Sequence, residues 1–63
     1  MWKASFNRKE QKALTFYKSL REARRNCSLV DGETVVRAVD LYSKYSLGYA
    51  VMDACEADAR RVK

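Results

Sequence analysis

The 63-residue chain predicts an all-α fold, a small antiparallel helical hairpin or three-helix bundle, built as a single domain over residues 1–63. Apolar residues between Asn7 and Cys27 recur at intervals of three and four, the spacing of one helix face. From Thr34 onward similar spacing continues in two overlapping stripes. There is no Pro and only two Gly, and nothing marks a linker or a second domain.

Taken in order, Met1–Phe6 is too short to be an element. Trp2 and Phe6 are large apolar groups expected to fold back onto the helices, or, for Trp2, to meet a partner. The first helix is expected over Asn7–Cys27, with Ala13, Phe16, Leu20, Ala23 and Cys27 on one side, Phe6 in phase and Tyr17 widening the stripe. Asn7 followed by Glu10 is a capping-box pattern: the Asn side chain accepts from the third helical amide and Glu10 reaches back. Arg24 and Arg25 suit the negative helix end. Asp31-Gly32 then signals a turn, after which the chain returns antiparallel.

Beyond the turn, Val35, Ala38, Val39, Tyr42, Tyr45 and Tyr49 form one stripe. Leu41, Tyr45, Gly48, Met52, Cys55, Ala59 and Val62 form the other. Ser46 can cap a new helix and Gly48 weakens continuity by about 1 kcal/mol relative to Ala, so a break there gives three helices. The alternative is one helix over Glu33–Arg61, about 40 Å long at 1.5 Å per residue, overhanging the first. The order of Ala38, Leu41, Tyr42 and Tyr45-Ser46-Leu47 resembles the opening of a helix-turn-helix, although Cys55 stands where its turn Gly would be. Acidic Glu56-Ala57-Asp58 occupies the place of its recognition helix.

A chain this short buries only about 60% of its unfolded surface, so some staple is expected. The apolar stripes exceed what one hairpin covers, which points to a homodimer joined through Tyr42, Tyr45, Tyr49 and Met52. With no His and only Cys27 and Cys55, a closed zinc site is not expected, nor any other metal or cofactor. Both Cys fall on apolar stripes and read as reduced core thiols, without a base to make either a nucleophile. No Gly-rich phosphate loop is present, and we expect no catalytic residues and no enzyme. No apolar run is long enough for a membrane span and Met1–Phe6 has no apolar h-region, so the expected location is cytoplasmic, away from membranes.

Charge is the most informative property. Residues 1–27 carry eight Lys or Arg against two acids, a net +6, while residues 28–63 carry five against six. On the expected helix Lys18, Arg21 and Arg25 share a row with Leu14, flanked by Arg8, Lys12 and Arg24. Such a basic helix with an apolar centre suits docking on an acidic protein surface, as a regulator or inhibitor acting by occlusion. The partner-binding residues would be Leu14, Lys18, Arg21, Arg24 and Arg25. The alternative is a DNA- or RNA-binding regulator in which the same cations neutralise phosphates. Stacking of bases on the tyrosines needs interleaved cations, and along the sequence only Lys44 lies near Tyr42–Tyr49.

Overall fold

A computed structural model describing residues 1–62 shows a mixed α/β fold, which corrects the all-α expectation. The elements are β1 (Lys3–Phe6), α1 (Arg8–Ala13), α2 (Leu20–Arg25), β2 (Glu33–Asp40), β3 (Ser46–Asp53) and α3 (Ala54–Ala59). One sheet runs in the order β1-β2-β3, with β1 parallel and β3 antiparallel to β2. The parallel pair is joined by the crossover that carries α1 and α2.

The expected capping box is present. Glu10 N–H donates to Asn7 Oδ1 at 2.8 Å and Asn7 N–H donates to Glu10 Oε1 at 3.0 Å. The helix it starts ends at Ala13, however, and does not continue to Cys27. Leu14 takes extended backbone (φ −107°, ψ 155°), and three residues later Tyr17 exchanges two hydrogen bonds with Tyr49, at 2.7 and 2.8 Å. Phe16 meanwhile packs edge-on against Phe6, centroids 5.3 Å apart. Strand-like pairing and an aromatic contact thus replace nearly two helical turns between Ala13 and Leu20. Ser19 caps α2 by accepting from Glu22 N–H, and Ala23 is the fully buried residue of that helix.

The turn at Asp31-Gly32 is where it was expected, with Gly32 at φ +76°. It leads into a β-hairpin, not into one or two long helices. Thr34, Val35, Val36 and Val39 are β-branched and suit a pleated surface better than a helix. Val36 and Ala38 on β2, with Ala50 and Met52 on β3, alternate into the core at the two-residue strand period. Ser46 opens β3 and does not cap a helix. The helix-turn-helix resemblance falls with this, because its first half is strand. The last helix survives only as α3, where Asp53 Oδ1 accepts from Cys55 N–H at 2.8 Å.

The main core cluster consists of Ala4, Phe6, Val36, Ala38, Ala50, Met52 and Ala57, with half-buried Phe16 and Leu47 against it. Ala at four of these seven positions lets α3 lie close to the sheet and leaves Phe6 and Val36 as the largest fully buried side chains. Phe6 therefore folds inward as expected. Trp2 stays partly exposed, with the Arg61 guanidinium 4.7 Å from its ring centre. Cys55 is exposed and Cys27 half-buried, both as free thiols, so the core-thiol expectation fails for Cys55.

Short segments close both edges of the sheet. Tyr17 pairs with β3, while on the other edge Ser5 N–H donates to the Arg60 carbonyl and Val62 N–H to the Lys3 carbonyl. Arg60 also pairs with Glu10 and, at 3.1 Å, with Glu56, and its guanidinium lies 5.4 Å from the Phe6 ring centre. One side chain thereby ties α1 and α3 to β1.

Candidate functional site

The row expected to bind a partner does not exist as a helix face. Leu14 ends α1 and is 41% exposed, Lys18 lies in the extended link, and Arg21, Arg24 and Arg25 belong to α2. The three arginines and half-buried Leu20 line a shallow hollow of their own, without Leu14. The residues expected to join two copies are also divided. Met52 is a core residue of this chain, and Tyr49 is half-buried in β3 with its backbone paired to Tyr17. Tyr42 and Tyr45 remain open to solvent at the β2–β3 connection, 80% and 76% exposed.

The fold creates a different arrangement from residues far apart in sequence. Lys3 pairs with Arg37, Arg37 with Tyr49, and Tyr49 with Tyr17, so four side chains share one row across the sheet. Lys3 and Arg37 are exposed; Tyr17 and Tyr49 are half-buried. Two cations thus stand beside two aromatic rings. The alternation of Lys3 and Ser5 with buried Ala4 and Phe6 was a sequence signal for this strand face. Nothing in the sequence pointed to Tyr17 as a neighbour of Tyr49.

A second juxtaposition lies at the end of the sheet. Arg8, Gln11 and Lys12, spaced by three and four, line one wall of a cleft of about 390 Å³. Asp40, Tyr45 and Leu47 line the other. Gln11 Nε2 donates to the Phe6 carbonyl at 3.0 Å, which holds α1 against the end of β1 beside Asp40, the register partner of Phe6. The tyrosine that had only Lys44 near it in sequence has Arg8 and Lys12 near it in space.

Among the described residues the ion pairs are those of Arg60 with Glu10 and Glu56. Among the described residues none of the eight cations of residues 1–27 has an acidic partner, seven of them fanned over β1, α1 and α2 and the eighth, Lys18, in the link between the helices. Such a surface attracts polyanions, and its cations need not be released from an internal partner first. Among the described residues no three His, Cys, Asp or Glu come together as metal ligands, and no helix is long and apolar enough to cross a membrane. Comparison with protein-family models, with curated proteins and with solved structures finds no match to this chain.

Proposed function

We propose that this chain is a non-enzymatic binding module for single-stranded nucleic acid. The observation that carries the reading is the cross-sheet row of Lys3, Arg37, Tyr49 and Tyr17. Cations neutralise phosphates while rings offer stacking platforms that tolerate any base. The unpaired cations of α1 and α2 extend the same positive surface and favour rapid capture.

The test is fluorescence anisotropy of labelled single-stranded RNA and DNA, and of a duplex of the same sequence, at low salt and at about 150 mM. Single strands should stay bound at the higher salt and the duplex should not. Log affinity should fall with log salt at about −0.7 per phosphate neutralised. Replacing Lys3 and Arg37 by Gln, at two exposed positions, should flatten that slope without unfolding the protein. Complete loss of single-strand binding at 150 mM would overturn the reading.

An acidic protein partner, bound by occlusion, is the second reading, and a separate observation favours it. Met1 and Leu29, 64% and 81% exposed, line a hollow of about 450 Å³ with Cys27, Val35 and Arg24. An apolar floor rimmed by arginine suits a protein better than a phosphate chain. In a pull-down, Leu29→Asp should then abolish capture while Lys3→Gln with Arg37→Gln leaves it intact.

A further inference from the structure

Asp40 stands apart from every other acid in the molecule. It is 9% exposed, and its Oδ1 is buried with no hydrogen-bond partner. Its backbone is fully engaged: N–H donates to the Tyr45 carbonyl at 2.9 Å, and the Asp40 carbonyl accepts from Lys44 N–H at 3.1 Å. Only the carboxylate is left over. An unsatisfied buried acceptor is costly, and costlier when charged, so its presence needs a reason. Arg8 and Lys12 share the cleft with it, yet neither is ion-paired to it.

The composition of the cleft limits what can fill it. A simple anion would meet the Asp40 carboxylate, and a simple cation would meet Arg8 and Lys12. The complementary ligand carries hydrogen-bond donors at one end and negative charge at the other. Tyr45, 76% exposed, and half-buried Leu47 supply an aromatic and apolar surface on the wall that also carries Asp40. A nucleotide has this layout: base edge, planar ring, phosphate. Among the bases, guanine alone presents two adjacent donors and no acceptor between them, the N1–H and the N2 amino group, so whichever carboxylate oxygen turns to the cleft meets a donor. Adenine and cytosine offer one amino donor beside a ring acceptor, and uracil and thymine one N–H between two carbonyls, so each sets an acceptor against Asp40.

We propose that this cleft is a guanine-selective nucleotide site within the single-strand surface: Asp40 accepts from the Watson–Crick edge, Tyr45 stacks on the ring, and Arg8 and Lys12 hold the adjoining phosphate. The inference rests on the single-strand reading and adds base selectivity to it. Rotation about the Asp40 χ2, a soft torsion, brings either oxygen to the ligand. Gln11 stays bonded to the Phe6 carbonyl and holds α1 at the end of β1.

The experiment measures binding of seven-nucleotide oligomers with a single central G, A, C, U or inosine between runs of three U, at about 150 mM salt. The corresponding DNA oligomers, with T for U, separate an RNA ligand from a DNA one. The G oligomer should bind roughly tenfold more tightly than the A, C or U ones. Inosine, which keeps N1–H but lacks the amino group, should fall between, a result that requires no altered protein. Asp40→Asn should bring G down to the level of the others while binding of the all-U oligomer is retained. Tyr45→Ala, at an exposed position, should weaken all oligomers several-fold without changing their order. Equal binding of all five oligomers overturns the guanine site and leaves the single-strand reading standing. Failure to bind any of them overturns both. Selectivity that survives Asp40→Asn, or inosine equal to guanine, removes Asp40 from the role.

Discussion

Gly48 has φ +104°, and a Cβ built on it would lie 2.4 Å from the Tyr17 carbonyl oxygen. Conformation and space both require glycine there. Gly48→Ala should therefore cost about 2–3 kcal/mol in chemical denaturation and release the Tyr17 segment from β3. Lys44 is the opposite case, a side-chain-bearing residue held at φ +65° in the β2–β3 connection. The left-handed region disfavours Lys by about 1–2 kcal/mol relative to glycine, part of which glycine loses again to its freer unfolded chain. Lys44→Gly should raise stability by about 0.5–1 kcal/mol in the same measurement.

Among the elements, α1 and α3 are six-residue helices that have little stability of their own. The Arg60 side chain holds them, set between Glu10 and Glu56 over the Phe6 ring. The partly buried geometry makes this pairing worth more than an open surface ion pair. Arg60→Ala should cost about 1–2 kcal/mol, and hydrogen exchange should show α1 and α3 loosening together ahead of the sheet. The start of α1 and the turn at Gly32 were legible in the sequence because both are local devices, a capping box and a left-handed glycine. The end of α1 was not legible. Phe16, Tyr17 and Leu20 keep the helical spacing, and only the backbone of Tyr49, thirty-two residues after Tyr17, takes Tyr17 out of it. The hairpin was misread for a related reason. Val35 and Val51 are apolar on the strand face opposite Val36, Ala50 and Met52, so apolar residues occur at both parities and the two-residue period is blurred. The β-branched run Thr34-Val35-Val36 carried the better signal. The candidate site was legible only as charge: eight cations in residues 1–27 were plain, but their meeting with Tyr45, Tyr49 and Asp40 depends on pairings distant in sequence.

At the scale of the whole molecule, the radius of gyration is 10.7 Å. A folded chain of this length is expected at about 10.6 Å, so the short elements do close around one core. That core is thin. Total stability for such a domain is roughly 3–9 kcal/mol, and truncating a buried Phe costs about 3–5. Phe6→Ala should remove about half of that stability or more, read by circular dichroism as a large fall in the denaturation midpoint. The closed rims of the sheet carry a last consequence, for assembly. Tyr17 takes the outward backbone groups of Tyr49 at the middle of β3, and the Arg60–Val62 segment pairs with β1 on the other edge, so a second copy adding a strand must first displace one of them. Once the Tyr17 latch is lifted, β3 is free to pair with β3 of a second copy, and because Arg60–Val62 still covers the opposite edge the assembly closes as a two-fold dimer.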